Sequence, residues 1–182
     1  MSQTEGLRAL RTRTLVQTAA MELCEDGGFD ELTVTALVDR AMVSRATFYR
    51  YYRDKYDVIE KICAAAFDRL SSAADKDSER RRARWIEFFE YIARNDRFYK
   101  ALLVESRQGW FAHYLQTQFA SLAVEHASND SNIFGAKTPV ALSQILASTF
   151  VETITWWIAR GTKRSCDPQR NEAKLMHKIC RA

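Results

Sequence analysis

Glycine and proline are scarce in this chain, and their scarcity is the strongest constraint on its fold. The sequence has 6 Gly and 2 Pro among 182 residues, whereas the two together make up about 12% of an average protein. Folds built from many short strands need tight turns, and tight turns depend on these residues. Because 47% of the residues are hydrophobic, the chain can also form a core, so we expect long helices that pack together.

Apolar residues at helical spacing divide the start of the chain into short helices. An amphipathic stripe that begins at Leu15 predicts one helix, which Gly27 and Gly28 end. A second stripe over residues 34–41 covers only two turns, and Thr33 precedes it as an N-cap. The spacing therefore predicts one helix followed by a very short one.

A further short helix is expected after a turn formed by Met42 and Val43. Ser44 can cap this helix, and Phe48 and Tyr52 lie one turn apart on the side that would face the core. The two short helices are therefore separated by a tight turn.

An acidic pair marks the start of the next helix. Asp54 and Asp57 stand at the spacing of a capping box, with Asp in place of Glu, and apolar residues continue the pattern to Phe67. The first part of the chain thus predicts a compact bundle of short helices.

A densely charged segment with almost no large apolar side chain covers residues 68–84. We place a domain boundary there, with one domain at residues 1–70 and a second at residues 71–182. The helical patterns lengthen after the boundary, and the most regular stripe runs over residues 142–158 until Gly161 ends it. The predicted fold is all-α, with a bundle of three to four short helices followed by a larger helical domain.

The sequence lacks the residue clusters that enzymes and metal sites require. It has no phosphate-binding glycine loop, nucleophile elbow or HExxH motif. His113 and His126 would point to different sides of one helix. No CxxC pair is present, so we expect free, mostly buried thiols at Cys24, Cys63, Cys166 and Cys180. We therefore expect no catalysis, no metal and no cofactor.

The sequence also gives no sign of export or of a membrane segment. Its N-terminus is polar, and the longest run without Asp, Glu, Lys or Arg still contains several polar groups. We expect a cytoplasmic protein.

A local basic surface stands out in the first part of the chain. Residues 1–60 are net acidic, yet residues 40–55 hold five cations against Asp54 alone, namely Arg40, Arg45, Arg50, Arg53 and Lys55. Such a patch binds phosphates or is a solvated face, and charge alone leaves both open. The two short capped helices beside it form a helix-turn-helix, whose second helix fits the major groove of DNA.

The segment LTVTALVDRAMVSRATFYRYYRDKYDVI, from Leu32 to Ile59, resembles the DNA-binding signature of the TetR family of bacterial transcriptional regulators. The capped helices, the Val-Ser junction, the Thr-aromatic-Tyr run and the Asp-Lys helix start all occur in register. The resemblance implies that this protein binds double-stranded DNA and regulates transcription.

The resemblance also implies roles for residues at the two helix starts. Thr33 would meet a phosphate through its hydroxyl and N–H, and Thr35 would reach base edges. Ser44 and Arg45 would open the recognition helix, where Arg45 donates to a guanine edge or to a phosphate.

Further along the recognition helix, the resemblance implies that Thr47, Tyr49 and Tyr51 touch the DNA backbone or a thymine methyl group. Arg50 is included with them, and Lys55 would clamp a phosphate at the start of the next helix. Aromatic packing within the bundle is the alternative role for the tyrosines.

Two residues depart from the family pattern. Met42 stands where Gly is usual in the turn, which costs about 1 kcal/mol at positive φ or changes the turn. Ala46 stands where Gly is common, and its small side chain should still allow close approach to DNA.

Aromatic residues concentrate in the second part of the chain. Only six of the 4 Trp, 7 Tyr and 10 Phe precede residue 60. The family resemblance implies that they line a pocket for a small-molecule effector. For any one of these residues plain core packing is the favoured explanation, and the sequence does not identify an effector.

The long helix of residues 138–160 has a second face of apolar and small residues. The resemblance implies that this helix and a last short one after Pro168 pack against their copies in a twofold homodimer. We expect the interface to include Phe150, Val151, Ile154, Thr155 and Trp157. A helix buried within a monomer is the alternative. The stretch WWIARGTKRS also resembles the C-terminal region of one TetR subgroup.

Taken with the family resemblance, these patterns predict a dimeric DNA-binding regulator that represses transcription from a palindromic operator until an effector releases it. The alternative is an interaction module that keeps the helix-turn-helix fold but docks on another protein. Steep loss of DNA affinity with salt would distinguish the regulator from the docking module.

Overall fold

The computed structural model describes residues 3–71, 78–129 and 140–161, which are helical almost throughout. No strand occurs in these ranges, so the all-α prediction is confirmed. The elements, in chain order, are α1 Gln3–Gly27, α2 Val34–Arg40, α3 Arg45–Tyr51, α4 Lys55–Ser71, α5 Ser78–Arg94, α6 Asp96–Lys100, a π-helical turn Ala101–Glu105, α7 Trp110–Asn129 and α8 Val140–Ala159.

The predicted caps of the two short helices are present. The Thr33 hydroxyl accepts the N–H of Ala36 at 3.1 Å, and the Ser44 hydroxyl accepts the N–H of Thr47 at 3.1 Å. Each cap satisfies one of the N–H groups that a helix start leaves without a partner. The boundaries of α2 and α3 are therefore fixed by local chemistry.

Helix α1 begins much earlier than the sequence pattern predicts. The apolar stripe starts at Leu15, whereas the helix starts at Gln3. Leu7 and Leu10 are exposed in these first turns. Because the turns extend beyond the bundle and bury no continuous face, no helical stripe marks them.

The start of α4 forms half of the predicted capping box. The carboxylate of Asp54 accepts the N–H of Asp57 at 2.8 Å. In the other direction, the carboxylate of Asp57 accepts the N–H of Arg53 at 3.0 Å, one residue before the capping position. Asp57 is buried and also binds the ammonium group of Lys61 at 3.0 Å.

The second half of the chain packs around a cluster of aromatic rings. The rings of Phe119 and Phe150 lie 4.5 Å apart, which joins α7 to α8. Phe67 of α4 contacts Phe119 at 4.9 Å, and Trp85 of α5 contacts Phe150 at 5.4 Å. These edge-to-face contacts tie four helices into one core.

This packing shows where the residues of the predicted dimer interface lie within one subunit. Val151, Ile154 and Trp157 are buried within the subunit, with Val151 at 0% exposure. Phe150 is half-buried in the aromatic cluster. Thr155 is also half-buried, and its hydroxyl donates a hydrogen bond to the carbonyl of Val151 at 2.9 Å. Val151, Ile154 and Trp157 therefore lie on the inward face of α8, toward the aromatic cluster. A contact of Phe150 or Thr155 with a second subunit stays a prediction.

The outward face of α8 is also partly apolar. Ile145 is 62% exposed, and Leu146 and Trp156 are each 45% exposed. Arg160 covers the ring of Trp156 with its guanidinium at 4.5 Å. Gly161, at φ +89, follows the helix where the sequence predicts its end.

The two halves of the chain are joined by several contacts, and one group of them surrounds Trp110. The ring of Trp110, at the start of α7, packs on Phe29 at 5.1 Å and on Tyr56 at 4.9 Å. The carboxylate of Asp30 accepts the N–H of Arg107 at 3.1 Å and the hydroxyl of Ser106 at 3.0 Å, and these bonds lower the pKa of Asp30. One buried core runs through both halves, and the domain boundary after residue 70 stays a prediction.

Burial raises the pKa of each described thiol, Cys24 and Cys63, to about 12, so both are protonated at neutral pH. The predictions for Cys166, Cys180, a helix start at Pro139 and a last helix after Pro168 fall outside the described residues. In the part of the chain that is described, no helix combines the length and apolarity needed to cross a bilayer.

Candidate nucleic-acid interface

The turn between α2 and α3 keeps the geometry that glycine would allow. Met42 adopts φ +53, a left-handed conformation that costs a residue with a Cβ about 1–2 kcal/mol. Its side chain is 94% exposed and packs against little. The N–H of Val43 donates to the carbonyl of Val38 at 3.0 Å, which holds the turn closed.

Helix α3 has one buried side and one open side. Phe48 is fully buried, and Tyr52, which follows the helix, packs beside it at a ring distance of 5.5 Å. The buried side anchors α3 to the bundle, as the sequence predicts. The open side carries exposed side chains at four positions, Arg45, Ala46, Tyr49 and Arg50.

Two residues predicted to contact DNA, one on α2 and one on α3, lie together at one edge of the open side. A terminal guanidinium nitrogen of Arg45 donates to the hydroxyl of Thr35 at 2.7 Å. Both residues are exposed. Because one hydrogen bond uses a single N–H of five, Arg45 keeps donors for a base or a phosphate.

The remaining predicted hydroxyl groups are already engaged at helix starts. The hydroxyls of Ser44 and Thr47 lie 2.8 Å apart, and Thr33 and Ser44 serve as N-caps. Thr33 and Ser44 are exposed and Thr47 is half-buried. Capping is therefore the role that the structure gives Thr33 and Ser44, and a DNA contact for either stays a prediction.

The two tyrosines differ in their surroundings. Tyr49 is 55% exposed and touches Phe48 edge to face at 5.3 Å. Tyr51 is half-buried, and the guanidinium of Arg13 on α1 lies 5.3 Å from the centre of its ring. Arg13 could not be predicted as a neighbour of α3, because no local sequence pattern links residues so far apart.

Lys55 has partners other than those predicted. Its ammonium group donates to the carbonyls of Phe29 and Asp30 at 3.2 and 3.3 Å and lies 4.5 Å from the centre of the Phe29 ring. The loop after α1 thus engages the amine, because its carbonyls point toward the start of α4. A phosphate contact for Lys55 stays a prediction that this placement does not support.

Ion pairing separates the five cations of the basic surface. Arg40 pairs with Glu22 at 3.0 Å, and Arg53 pairs with Asp57 at 3.5 Å. In contrast, no carboxylate within residues 3–71, 78–129 and 140–161 pairs with Arg45 or Arg50. Among the four arginines of the basic surface, the two without such an ion pair therefore both lie on α3.

A buried carboxylate supports the end of this surface. Burial alone would raise the pKa of Asp57, but the N–H of Arg53 and the ammonium group of Lys61 outweigh it and lower the pKa. Lys61 also donates to the carbonyl of Tyr51. Asp57, charged at neutral pH, thus links the start of α4 to the last turn of α3.

Comparisons with known proteins agree with this arrangement. The family model described as "Bacterial regulatory proteins, tetR family" matches residues 5–62, and the model described as "Transcriptional regulator C-terminal region" matches residues 84–178. A Bacillus subtilis (strain 168) protein, "Uncharacterized HTH-type transcriptional regulator YdeS", is 38% identical over 60 residues. That alignment spans 32% of this chain and 30% of the relative.

Two solved structures share the fold over nearly their whole length. A TetR transcriptional regulator from Streptococcus agalactiae 2603V has a TM-score of 0.63 at 17% identity, covering 100% of this chain and 98% of its own. The fatty acid degradation regulator FadR from Bacillus halodurans has a TM-score of 0.61 at 17% identity, covering 93% of each chain.

The N-terminal match contains the helix-turn-helix with its open basic side, and the C-terminal match extends over more than half of the chain. The chain belongs to the TetR family of DNA-binding transcriptional regulators.

Proposed function

We propose that this protein is a repressor that binds a palindromic operator as a homodimer and is released by a small-molecule effector. The observation that carries the proposal is the open side of α3, where Arg45 and Arg50 are exposed and pair with no carboxylate of the described residues. Duplex DNA is a polyanion whose major groove admits one helix, so it matches the charge and the shape of this side.

Arg45 is the residue to which we assign base recognition. It stands in the first turn of α3, and Thr35 holds one edge of its guanidinium at 2.7 Å. A guanidinium held in this way can donate two parallel N–H bonds to O6 and N7 of guanine. Tyr49 and Arg50 follow on the same open side and would contact the backbone or a thymine methyl group.

The outward face of α8 is where we place the contact with a second copy. Ile145, Leu146 and Trp156 expose apolar surface there, and a twofold interface brings the same patch of both subunits together. This face replaces the predicted set of Phe150, Val151, Ile154, Thr155 and Trp157.

An effector would act through α4. Three residues separate this helix from α3, and it packs against α5. A small groove of about 120 Å³ between the two helices is lined by Ala65, Ala66, Arg84, Glu87, Phe88 and Tyr91. A ligand that separates α4 from α5 would move α3 with it. To release DNA, the ligand must favour the displaced arrangement by about 1–3 kcal/mol.

The test begins with selection of operator DNA from a random duplex library by the full-length wild-type chain. We expect an inverted repeat, two chains bound per duplex and an affinity that falls steeply with salt. Arg45→Ala should lose about 1–3 kcal/mol of discrimination at one base pair of each half-site. Arg53→Ala is the matched control on the same surface, because Arg53 is paired with Asp57 and should leave the base preference unchanged.

Selection that recovers no preferred sequence, or binding that salt does not weaken, would favour the docking module. A reporter placed behind the selected operator then tests the sign of regulation. Repression by the wild-type chain, with loss of repression in Arg45→Ala, is the expected result, and activation of the reporter would overturn the repressor assignment.

A further inference from the structure

From the contact between α1 and α3, we infer that Arg13 binds a phosphate of the DNA backbone beside the recognition helix. The inference rests on the proposed insertion of α3 into the major groove. It adds to the interface a residue from α1, a helix to which the sequence analysis assigned no contact.

Arg13 is held at the flank of α3 by two contacts. Its guanidinium lies 5.3 Å from the centre of the Tyr51 ring, within the range of a cation–π interaction. Its backbone carbonyl accepts the hydroxyl of Tyr52 at 3.4 Å. The first contact orients the side chain, and the second fixes α1 against the end of α3.

The charge of Arg13 is available to a ligand. Its side chain is exposed, and no carboxylate in the described ranges forms an ion pair with it. Stacking on a ring uses one face of the guanidinium and leaves the in-plane N–H donors free. These donors suit a phosphate, which accepts two parallel hydrogen bonds.

The position of Arg13 selects the DNA backbone rather than a base. A helix with its side chains is about 10–12 Å across, and the major groove is about 12 Å wide. Helix α3 therefore fills the groove, so a residue beside it lies over the groove wall, where the phosphates are. Tyr51 stands on that flank, and Thr35 with Arg45 forms the edge nearest to α2.

Arg11 provides a matched control on the same helix. It is also exposed, it carries the same charge, and it stands two residues earlier, about 200° around α1. No described contact joins it to α3. A general effect of positive charge would be the same for Arg11 and Arg13, whereas a phosphate contact belongs to Arg13 alone.

The experiment measures the affinity of the full-length chain for its selected operator at several salt concentrations. Loss of one phosphate contact should make the slope of log K against log salt shallower by about 0.9 per bound chain. The advantage of wild type over Arg13→Gln should therefore shrink about 3.5-fold per bound chain, or about 12-fold for two chains on one operator, for a fourfold increase in salt. Arg13→Lys keeps the charge and should keep most of the slope, and Arg11→Gln should keep all of it.

A second measurement locates the phosphate. Single phosphates of the operator are replaced, one at a time, by uncharged methylphosphonates. At one backbone position the replacement should weaken binding of the wild type and leave binding of Arg13→Gln unchanged. Thermal unfolding of Arg13→Gln checks that the variant is folded. Equal slopes for wild type and Arg13→Gln, or equal losses in Arg13→Gln and Arg11→Gln, would overturn the inference. Wild-type binding without salt dependence would instead overturn the proposed function together with it.

Discussion

The two helices that present open surfaces, α3 and α8, differ in how their outward side is decided. Helix α3 has seven residues, and its only large aliphatic or aromatic side chain that is fully buried is Phe48. Helix α8 has 20 residues, with large apolar side chains such as Ile154 inside and Ile145 outside. A short polar helix leaves one choice of inward face, whereas a long apolar helix leaves two.

This difference explains why the sequence predicts the inward side of α3 more readily than that of α8. The sequence places Phe48 and Tyr52 in the core, and the structure confirms both. On α8, Val151 and Ile154 were expected to face a partner, but they are buried inside the subunit. Apolar residues at helical spacing predict that a face of the helix is buried, but they do not predict which neighbour buries it.

The largest effect on stability is expected when a charge is placed on the inward face of α8, and the same change on the outward face should act differently. Val151→Glu puts a charge into a fully buried site and should lower the free energy of unfolding by about 3–5 kcal/mol or prevent folding. Ile145→Glu changes a residue that is 62% exposed, so the variant should stay folded but become monomeric. Circular dichroism melts and sedimentation velocity of the wild type and both variants measure these outcomes.

A folded Val151→Glu variant with wild-type stability would show that the assignment of the inward face is wrong. A folded Ile145→Glu dimer would move the proposed subunit contact away from the outward face of α8.

The next effect concerns the polar support of α3. Asp57→Asn removes a buried charge that binds Lys61 and the N–H of Arg53, and should lower the free energy of unfolding by about 1–3 kcal/mol at pH 7. The pKa of Asp57 is lowered in the folded chain, so the carboxylate stabilises the fold above its ordinary pKa of 3.8 and less as pH falls further.

Urea unfolding of the wild type and Asp57→Asn from pH 7 to pH 3 tests this dependence. The difference between the two proteins should shrink below about pH 4. A difference that stays constant over the whole range would mean that the charge of Asp57 contributes nothing.

A smaller effect tests whether local chemistry defines α3. Ser44→Ala removes the N-cap and should lower the free energy of unfolding by about 1 kcal/mol. Ser44→Asp is the control, since a carboxylate caps equally well. Both are measured by urea unfolding without DNA. Equal stability of Ser44→Ala and the wild type would indicate that packing of Phe48 alone sets the helix start.

The smallest effect is expected in the turn. Met42→Gly relieves the left-handed strain at φ +53 and should raise the free energy of unfolding by about 0.5–1 kcal/mol, because the exposed side chain makes little packing contact. Met42→Ala keeps the strain and serves as the control. A Met42→Gly variant less stable than Met42→Ala would show that the turn carries no such strain.

Features that depend on neighbours along the chain could be predicted from the sequence. The caps at Thr33 and Ser44, the Asp54–Asp57 hydrogen bond and the end of α8 before Gly161 all involve residues within four positions of each other. Residue type and spacing suffice for such features, because the backbone brings these groups together in any helix that starts or stops there. The resemblance of Leu32 to Ile59 to the TetR family can be recognised for the same reason, because it depends on residue types at fixed spacing.

Features that depend on distant segments could not be predicted in this way, because they form when the helices pack together. Among them are the hydrogen bond from Lys55 to a carbonyl that follows α1 and the hydrogen bond from Arg45 to Thr35. The packing of Arg13 on the ring of Tyr51 is another. Helix packing also determines which apolar side of α8 contacts the aromatic cluster around Phe119. These choices follow from how helices pack against one another, since burial and charge pairing are properties of the assembled surfaces and not of spacing along the chain.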